Sequence, residues 1–324
     1  MKKNCIMNYL SLSNNYFDKA VGMKPLSSSD LIKLLKGVPH ESVVQNDSYI
    51  YSPVYYLFTG RYGLWSYIRG SIIINILRHP NNQESFLIMP AFNYENGLLS
   101  IEVTIDTAIE LHKNYPELSF TLARIPSTWH GIMREELKCK EINELDWIFP
   151  CRVLSTQLVD NLVGKHFQQV RQRINHLDIK NLSVSDIDIN KDSPELLKLV
   201  QDWAMIRNMS GYTIEDLVSP TKKIIDLFKS GRLNLHGIKI KCNNKVESFC
   251  IYEVKGLIAN EFSIISNVDI VGLAEYQMHQ MCHHLHLRGV EYINLGGSET
   301  EGLDRFKKKF HPVISHNLNS YSYF

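Results

Sequence analysis

No apolar run in this sequence approaches the ~20 residues that a membrane helix needs. The longest, such as Ser71–Leu77 and Phe86–Met89, are the size of a strand. Cysteine is sparse, six residues at positions 5, 139, 151, 242, 250 and 282, and none stand in a C-x-x-C pair. That spacing offers neither a disulfide framework nor a zinc ribbon, and a reduced, cytoplasmic setting is expected. Charge of one sign is also missing: 35 Lys+Arg face 34 Asp+Glu. There is no global basic field, so any nucleic-acid contact must come from a local patch. The basic start Met1–Met7 lacks the apolar run of a secretory signal. No H-E-x-x-H, Walker, Rossmann or Ser-His-Asp signature is present, so those chemistries are set aside.

What remains is an ordinary globular composition of 324 residues, 44% hydrophobic and 21% charged. At this length two domains of ~150 residues are expected. The reading is an extension over residues 1–24, a first module over 25–180 and a second over 181–324.

In the first module, Ser27–Asp30 offers capping residues for a short helix at Leu31–Lys36, ended by Gly37. Tyr49–Phe58 is aromatic and read as β-prone. Leu64–Tyr67, Ser71–Leu77 and Phe86–Met89 read as strands, with turns at Gly60, Gly63, Gly70 and His79-Pro80. Ile101–Tyr115 has apolar residues at helical spacing, and Ser119–Ile125 returns to strand character. Trp147–Phe149 reads as strand or loop, with helices from Ser155 and through Arg171 and Arg173.

The second module repeats that outline. Asn181–Asn190 reads as a polar strand and a crossing between domains. Ser193-Pro194-Glu195 opens a helix to about Arg207, and a second spans Thr221–Lys229. Strands at Leu233–Lys241 and Val246–Tyr252 are joined by Asn243-Asn244, a hairpin signal. Then come a strand at Glu261–Ser266, a long helix at Gly272–Arg288, a strand at Val290–Leu295 and a short basic helix at Gly302–Lys309. The pattern predicts an α+β (α/β) protein with two related mixed sheets flanked by helices.

The segment with most chemical content is Tyr292–Pro312. A buried strand runs into Gly296-Gly297, where backbone can approach backbone or ligand closely. A short helix then presents Arg305, Lys307, Lys308 and Lys309, with Phe306 and Phe310 four apart on its buried face. A cation held there could face an oxyanion or a phosphate. A solvated basic helix end, anchored by two phenylalanines, fits the same spacing.

This segment resembles two related families. Gly296-Gly297 followed by Phe306-Lys307 and Phe310 is similar to the C-terminal motif of the Fem-type peptidyltransferases. Tyr292-Ile293-Asn294, Gly302-Leu303, Lys307 and Phe310-His311-Pro312 resemble the double acetyltransferase-like (GNAT) family that includes the catalytic domain of phosphatidylglycerol lysyltransferases. Gly164-Lys165-His166-Phe167 with Arg171, Ile174 and Asn175 is similar to that family's central signature. Val170, Gln172 and Leu177 depart from it, and Gly296, Gly297 and Ser298 stand where acidic residues are the rule. The resemblance spans Asp146 to Val313 and implies a tandem GNAT fold and a transferase.

It also bears on the donor. GNAT proteins that use acetyl-CoA cradle its pyrophosphate with a glycine-rich loop at the N-terminus of their long helix. Here that place reads Ser266–Ala274, with one glycine and the acidic Asp269. The implied donor is therefore aminoacyl-tRNA, which arrives with an activated ester and needs no covalent nucleophile, metal or cofactor. Lys307, Glu261 and Asn294 are the expected catalytic residues. Lys165, Arg171, Arg173, Asn175, Gly296, Gly297, Arg305, Phe306, Lys308, Lys309 and Phe310 are expected to bind tRNA or substrate. The expected product is an amide (or ester) on a soluble small molecule or peptide, with no insertion into a membrane. An N-acyltransferase using acyl-CoA or a carrier-protein thioester is the alternative.

Other residues were weighed. His279 and His283 lie one turn apart beside Cys282, but no carboxylate completes a metal set; His283 could instead serve as a base. Glu261 could orient or deprotonate an amine, with Tyr252 and Glu253 weaker candidates of the same kind. Trp203 and the aromatic strand residues Trp65, Tyr62 and Tyr67 fit packing as well as ligand contact. Cys242 and Cys250 are expected to be buried thiols.

Overall fold

A computed structural model describes residues 17–79, 82, 84–137, 139–142, 148–207 and 213–323, the side chains of Lys19, Glu136, Lys180 and Tyr323 excepted. Most of the expected N-terminal extension, together with Pro80, Asp146 and Trp147, lies outside the described residues. In chain order the helices are α1 (Asp18–Val21), α2 (Ser28–Lys36), α3 (His40–Gln45), α4 (Pro53–Thr59), α5 (Ile101–Asn114), α6 (Thr156–Asn161), α7 (Gln168–Asn175), α8 (Ile189–Arg207), α9 (Ile214–Lys229), α10 (Leu273–Leu287) and α11 (Glu301–Lys308). The strands of the first half are β1 (Lys24–Leu26), β2 (Leu64–Arg69), β3 (Ile72–Arg78), β4 (Ser85–Ile88), β5 (Ala91–Asn93), β6 (Leu99–Ser100), β7 (Ser119–Pro126) and β8 (Lys140–Ile142). Those of the second are β9 (Cys151–Ser155), β10 (Leu182–Asp186), β11 (Leu235–Cys242), β12 (Lys245–Lys255), β13 (Ile258–Ser266), β14 (Tyr292–Asn294), β15 (Ile314–His316) and β16 (Leu318–Tyr323).

The chain forms two compact units. Unit 1 comprises Met1–Ser42, Tyr55–Leu145 and Leu318–Phe324; unit 2 comprises Val43–Val54 and Asp146–Asn317. The expected border at 180/181 therefore falls inside unit 2. The reason lies in the sheets. In unit 1 an antiparallel trio, β2-β3-β4, is followed by α5 and then by β7, parallel to β4, and the strand beyond β7 is β16 from the end of the chain. In unit 2 the trio β11-β12-β13 is followed by α10 and by β14, parallel to β13, and the strand beyond β14 is β9, which precedes the trio by some eighty residues. A parallel pair needs a crossover helix of this kind. Each sheet is completed by a strand distant in sequence, which is the non-local pairing that local pattern does not encode.

Both parallel ladders are short and stop in the same way. In unit 1 the last pair is Ile88↔Leu122, and Arg124, two residues on, has φ 57°. In unit 2 the last pair is Asn260↔Asn294, and Gly296, two residues on, has φ 67°. The left-handed residue turns each strand aside just past its last ladder bond. The two units thus share the repeated outline read from the sequence.

Local chemistry accounts for most elements. Ser27 caps α2 by accepting from Asp30 N at 3.1 Å, Ser155 caps α6, and Thr213 with Asp216 forms a reciprocal capping box on α9. Asn243 and Asn244 take φ 49° and 65°, the two positive values that a type I′ hairpin demands. One expectation fails: Tyr49–Phe58 is not a strand. It is a 3-10 turn at Ser48–Tyr51, capped by Asp47, followed by α4 with Pro53 at its first position. Its run of aromatics reports near-complete burial, which helices share with central strands. Helix α8 begins at Ile189, one turn before the expected Ser193-Pro194-Glu195 start, so Pro194 lies inside the helix and leaves one carbonyl without its i−4 bond.

The core of unit 2 lies between its sheet and the layer α6, α7, α10, and includes Leu154, Phe167, Tyr252, Met281, Ile293 and Phe310. Phe310 is 1% exposed and meets Phe306 edge-on at 5.4 Å between ring centroids. Phe310→Ala is expected to lower the stability of unit 2 by ~3–5 kcal/mol. Lys191→Ala, which loses only the exposed pair with Asp188, should change it by less than ~0.5 kcal/mol. Urea denaturation of the two variants checks the contrast.

Candidate active site

The site is built where β13 and β14 part. Past Asn294 the chain stays with β9: Leu295 N donates to Arg152 O at 2.9 Å, and Arg152 N donates to Gly296 O at 3.1 Å. Strand β13 continues its antiparallel ladder with β12 instead, and there carries an extra residue. Ser263 pairs with Ile251 and Glu261 with Tyr252, leaving Phe262 as a bulge. A bulge re-aims the side chains around it, and Glu261 is the residue beside it.

The turn Ser48–Tyr51 sits at the apex of the divergence. The Tyr49 hydroxyl lies within hydrogen-bonding reach of the Glu261 carbonyl and of the Asn294 carbonyl, the latter at 3.2 Å. A Cβ at Gly296 would meet that hydroxyl at 3.5 Å. The Asn294 amide donates to Ser48 Oγ at 2.9 Å and to Asp47 Oδ1 at 3.3 Å, and its Oδ1 accepts from Gly296 N at 2.9 Å. Ser48 Oγ in turn donates to Asn260 Oδ1 at 2.5 Å. Asn294 is fully buried, and its amide braces the Gly296 turn against the 47–52 segment.

Two titratable groups face this region. Lys307, on α11, is buried, and its ammonium donates to the carbonyls of Leu295 at 2.8 Å, Gly296 at 3.3 Å and Gly297. An ammonium has three protons, so all three serve the turn. Burial pulls the Lys307 pKa down, while the charges of Glu261 and Glu299 oppose that. Burial pushes Glu261 up to about 7, with Lys307 opposing and Glu299 adding to the rise. Glu261 keeps partial exposure, which is what a carboxyl that exchanges protons with a ligand requires.

The remaining cations of α11 are largely committed. Arg305 is exposed beside Glu301 at 3.7 Å, Lys308 pairs with the buried Asp304 at 2.7 Å, and Lys309 pairs with Glu275 at 3.0 Å. Burial would raise Asp304, but the hydrogen bonds from Arg152 and Lys308 overcome it and hold its carboxyl low. Phe306 packs partly buried against the core and Phe310 completes it. On the other sequence motif, Lys165, Arg173 and Asn175 are exposed. Arg171 instead turns inward, donating to the carbonyls of Leu162 and, at 2.8 Å, Gly164. It holds a loop.

The N-cap of α10 is packed against another segment. It is Gly272, at φ 86°, and a Cβ there would lie 2.2 Å from the Arg173 carbonyl. His279 Nε2 donates to the Asp160 carbonyl at 2.9 Å, and His283 Nδ1 meets Asp160 Oδ1 at 2.8 Å. Among the described residues no three His, Cys, Asp or Glu side chains converge on one point as a metal set. Cys250 is buried and Cys242 half-buried. Trp203 is half-buried under Arg207, 5.6 Å from its ring centroid.

With this geometry the comparisons can be read. No protein-family model matches the sequence, and no curated protein does. Solved structures do. A conserved protein of unknown function from Bacteroides thetaiotaomicron has TM-score 0.68 and 14% identity, covering 93% of this chain and 98% of that one. The C-terminal domain of a protein named as a lysylphosphatidylglycerol synthetase, from Agrobacterium fabrum, has TM-score 0.60 and 12% identity over 92% of this chain and 93% of that one. FemX has TM-score 0.60 and 12% identity over 92% and 96%. The chain has the tandem acetyltransferase-like fold. Within that fold the motifs at Gly164–Asn175 and Tyr292–Pro312 both lie in unit 2.

Sequence reading missed Tyr49, Ser48, Asn260 and the Ser52 partner of Glu253, because the 43–54 segment of unit 2 lies far outside the motifs. Glu253 accepts from Ser52 Oγ, and Lys255 donates to Tyr51 O at 3.3 Å. Burial pushes Glu253 up to about 7 and pulls Lys255 down to about 8. Between pH ~4.5 and ~7 the folded state therefore binds more protons than the unfolded chain at Glu253, as at Glu261, and stability falls as pH rises through that window. Lys255 acts oppositely: from pH ~8 to ~10.5 the folded state binds fewer protons there, and stability rises with pH. Glu253→Gln should shrink the fall between pH 4.5 and 7 in urea titrations. An unchanged slope would remove Glu253 from the account.

Proposed function

We propose that the protein is an aminoacyltransferase that takes its aminoacyl group from charged tRNA and forms an amide (or ester) bond on a soluble small molecule or peptide. The observation that carries the donor assignment is the Arg173 carbonyl packed on Gly272, the N-cap of α10. A diphosphate bound there would need open helix-terminal N–H groups, and the Arg173 carbonyl packs on Gly272 instead, with Asp269 adding like charge nearby. The kinship in fold with FemX and with the lysylphosphatidylglycerol synthetase domain supports the same reading. No described helix is long and apolar enough to cross a membrane, in keeping with a soluble acceptor.

The chemistry follows from the two facing groups. The acceptor amine attacks the ester carbonyl, a C–N bond forms, and the carbonyl oxygen takes up negative charge. Glu261, with its pKa near 7, accepts the amine proton and returns it to the departing ribose oxygen as the C–O bond breaks. The Lys307 ammonium holds the Leu295–Gly297 turn and places a positive field beside the developing oxyanion. Asn294 positions that turn. Lys165 and Arg173, with the exposed Arg305, supply local positive charge for the acceptor-stem backbone, while Lys308 and Lys309 stay with Asp304 and Glu275, so binding should weaken with salt. Arg171 contributes through the loop it holds.

Incubation with a mixed pool of charged tRNAs and candidate acceptors, scored as enzyme-dependent transfer of labelled amino acid, tests the reading. Lys307→Met is expected to slow transfer by ~100-fold or more and to lower stability, since three carbonyls lose their donor. Wild-type transfer by that variant would sink the role given to Lys307. The rate should rise with pH through about 7, because the ionised carboxylate is the base, and Glu261→Gln should abolish that limb. Thermal stabilisation by an acyl-CoA, but not by charged tRNA, would reverse the donor assignment in favour of a thioester.

A further inference from the structure

We propose that two exposed imidazoles of unit 2, His166 and His311, form a stacking platform for the unpaired 3′ end of an RNA. This rests on the charged-tRNA reading and names the surface that the donor's end would meet. The two rings come from segments almost 150 residues apart and touch edge to face, with centroids 4.7 Å apart. Both stand on the buried ring of Phe167, at 4.5 Å from His166 and 5.3 Å from His311. His166 and His311 are exposed.

The platform is held in place on both sides. His311 Nε2 donates to the His166 carbonyl at 3.0 Å, which leaves its ring face and Nδ1 for a ligand. His311 itself has φ 52°, and the loop before His166 carries Leu162 at φ 48° and Gly164 at φ 98°. Left-handed backbone at two residues that are not glycine is costly, and Arg171 holds the loop there through the carbonyls of Leu162 and Gly164. A substituted Gly164 would drive its Cβ to 2.8 Å from the His166 ring. Two exposed rings fixed in this way are preorganised, whereas a packing role would have buried them.

The surroundings fit a polyanion. From Asn161 to Leu177 the sequence contains no Asp or Glu, while it has Lys165, Arg171, Arg173 and three glutamines. Lys165, Arg173, Gln169, Gln172, Asn175 and His176 are exposed. Of the carboxylates that flank this segment and α11, Asp160 is engaged by His283, Asp178 accepts from Asn181, and Asp304 is held by Arg152 and Lys308. Cations beside flat rings are what a flexible strand of nucleotides needs, since the backbone meets the charge and each base has a face to stack. The platform also lies close to the chemistry. His311 follows Lys307 by four residues, just past the end of α11.

The test uses the full chain and a fluorescein-labelled RNA hairpin ending in an unpaired ACCA-3′, compared with the same hairpin made blunt. The overhang hairpin is expected to bind about tenfold more tightly. His166→Ala with His311→Ala should erase that difference, and His166→Trp should retain it through stacking alone. Lys165→Ala should weaken both hairpins and make the dependence on salt shallower by roughly 0.7 to 0.9 in log–log slope. Equal binding of the two hairpins by the wild-type protein would overturn the proposal, as would a difference that survives in the double alanine variant. Transfer from charged tRNA is scored separately. An overhang preference in a protein that never transfers would uphold the platform and sink the transferase reading, and transfer without that preference would do the reverse.

Discussion

A parallel pair of strands shares hydrogen bonds only while the two run side by side, and in unit 2 the pair β13 and β14 does so for three residues. Everything at the site depends on that ladder stopping at Asn260 and Asn294. Past it the Leu295–Gly297 carbonyls have no partners in β13 and become ligands for the Lys307 ammonium, while β13 carries Glu261 beside the bulge at Phe262. The Tyr49 hydroxyl spans the apex, bonding to a carbonyl on each strand. Buried backbone must find partners, and here a lysine and a tyrosine provide them.

That arrangement explains why Lys307 reads two ways. As a buried cation with three carbonyl ligands it is a strut, and its removal would loosen the turn. As a charge beside a glutamate held near pH 7, it gives the divergence the polarity that acyl transfer needs. The two roles are compatible, because under the proposed function preorganisation is itself the contribution asked of Lys307. The basic helix end around it is a different matter. Lys308 and Lys309 are engaged with Asp304 and Glu275, so the open positive surface shifts towards Lys165 and Arg173.

Much of this was legible beforehand. The cap at Ser27, the helix from Ser155, the Asn243-Asn244 turn and the order of elements in both halves follow from short-range rules, whereas α9 begins at Ile214 behind its Thr213 cap, seven residues before the expected Thr221. Phe306 and Phe310 share the buried face that their spacing predicts. The failures have physical causes. Tyr49–Phe58 was read as a strand because a fully buried aromatic run has no period to distinguish helix from sheet. The expected 180/181 border rests on the polar Asn181–Asn190 segment as a crossing between domains, whereas strand pairing places β9, α6 and α7 with the later half.

By itself the sequence determined most of the elements and the repeated outline, because capping, periodicity and glycine placement act within a few residues. Only the tertiary structure decided which cations are open and which are paired. It alone brought Tyr49 and Ser48 to Asn294 over a separation of some 245 residues, set His166 against His311, and packed the Arg173 carbonyl against the N-cap of α10. These are contacts between segments far apart in the chain, and their geometry is fixed by packing and strand register, which no local pattern records.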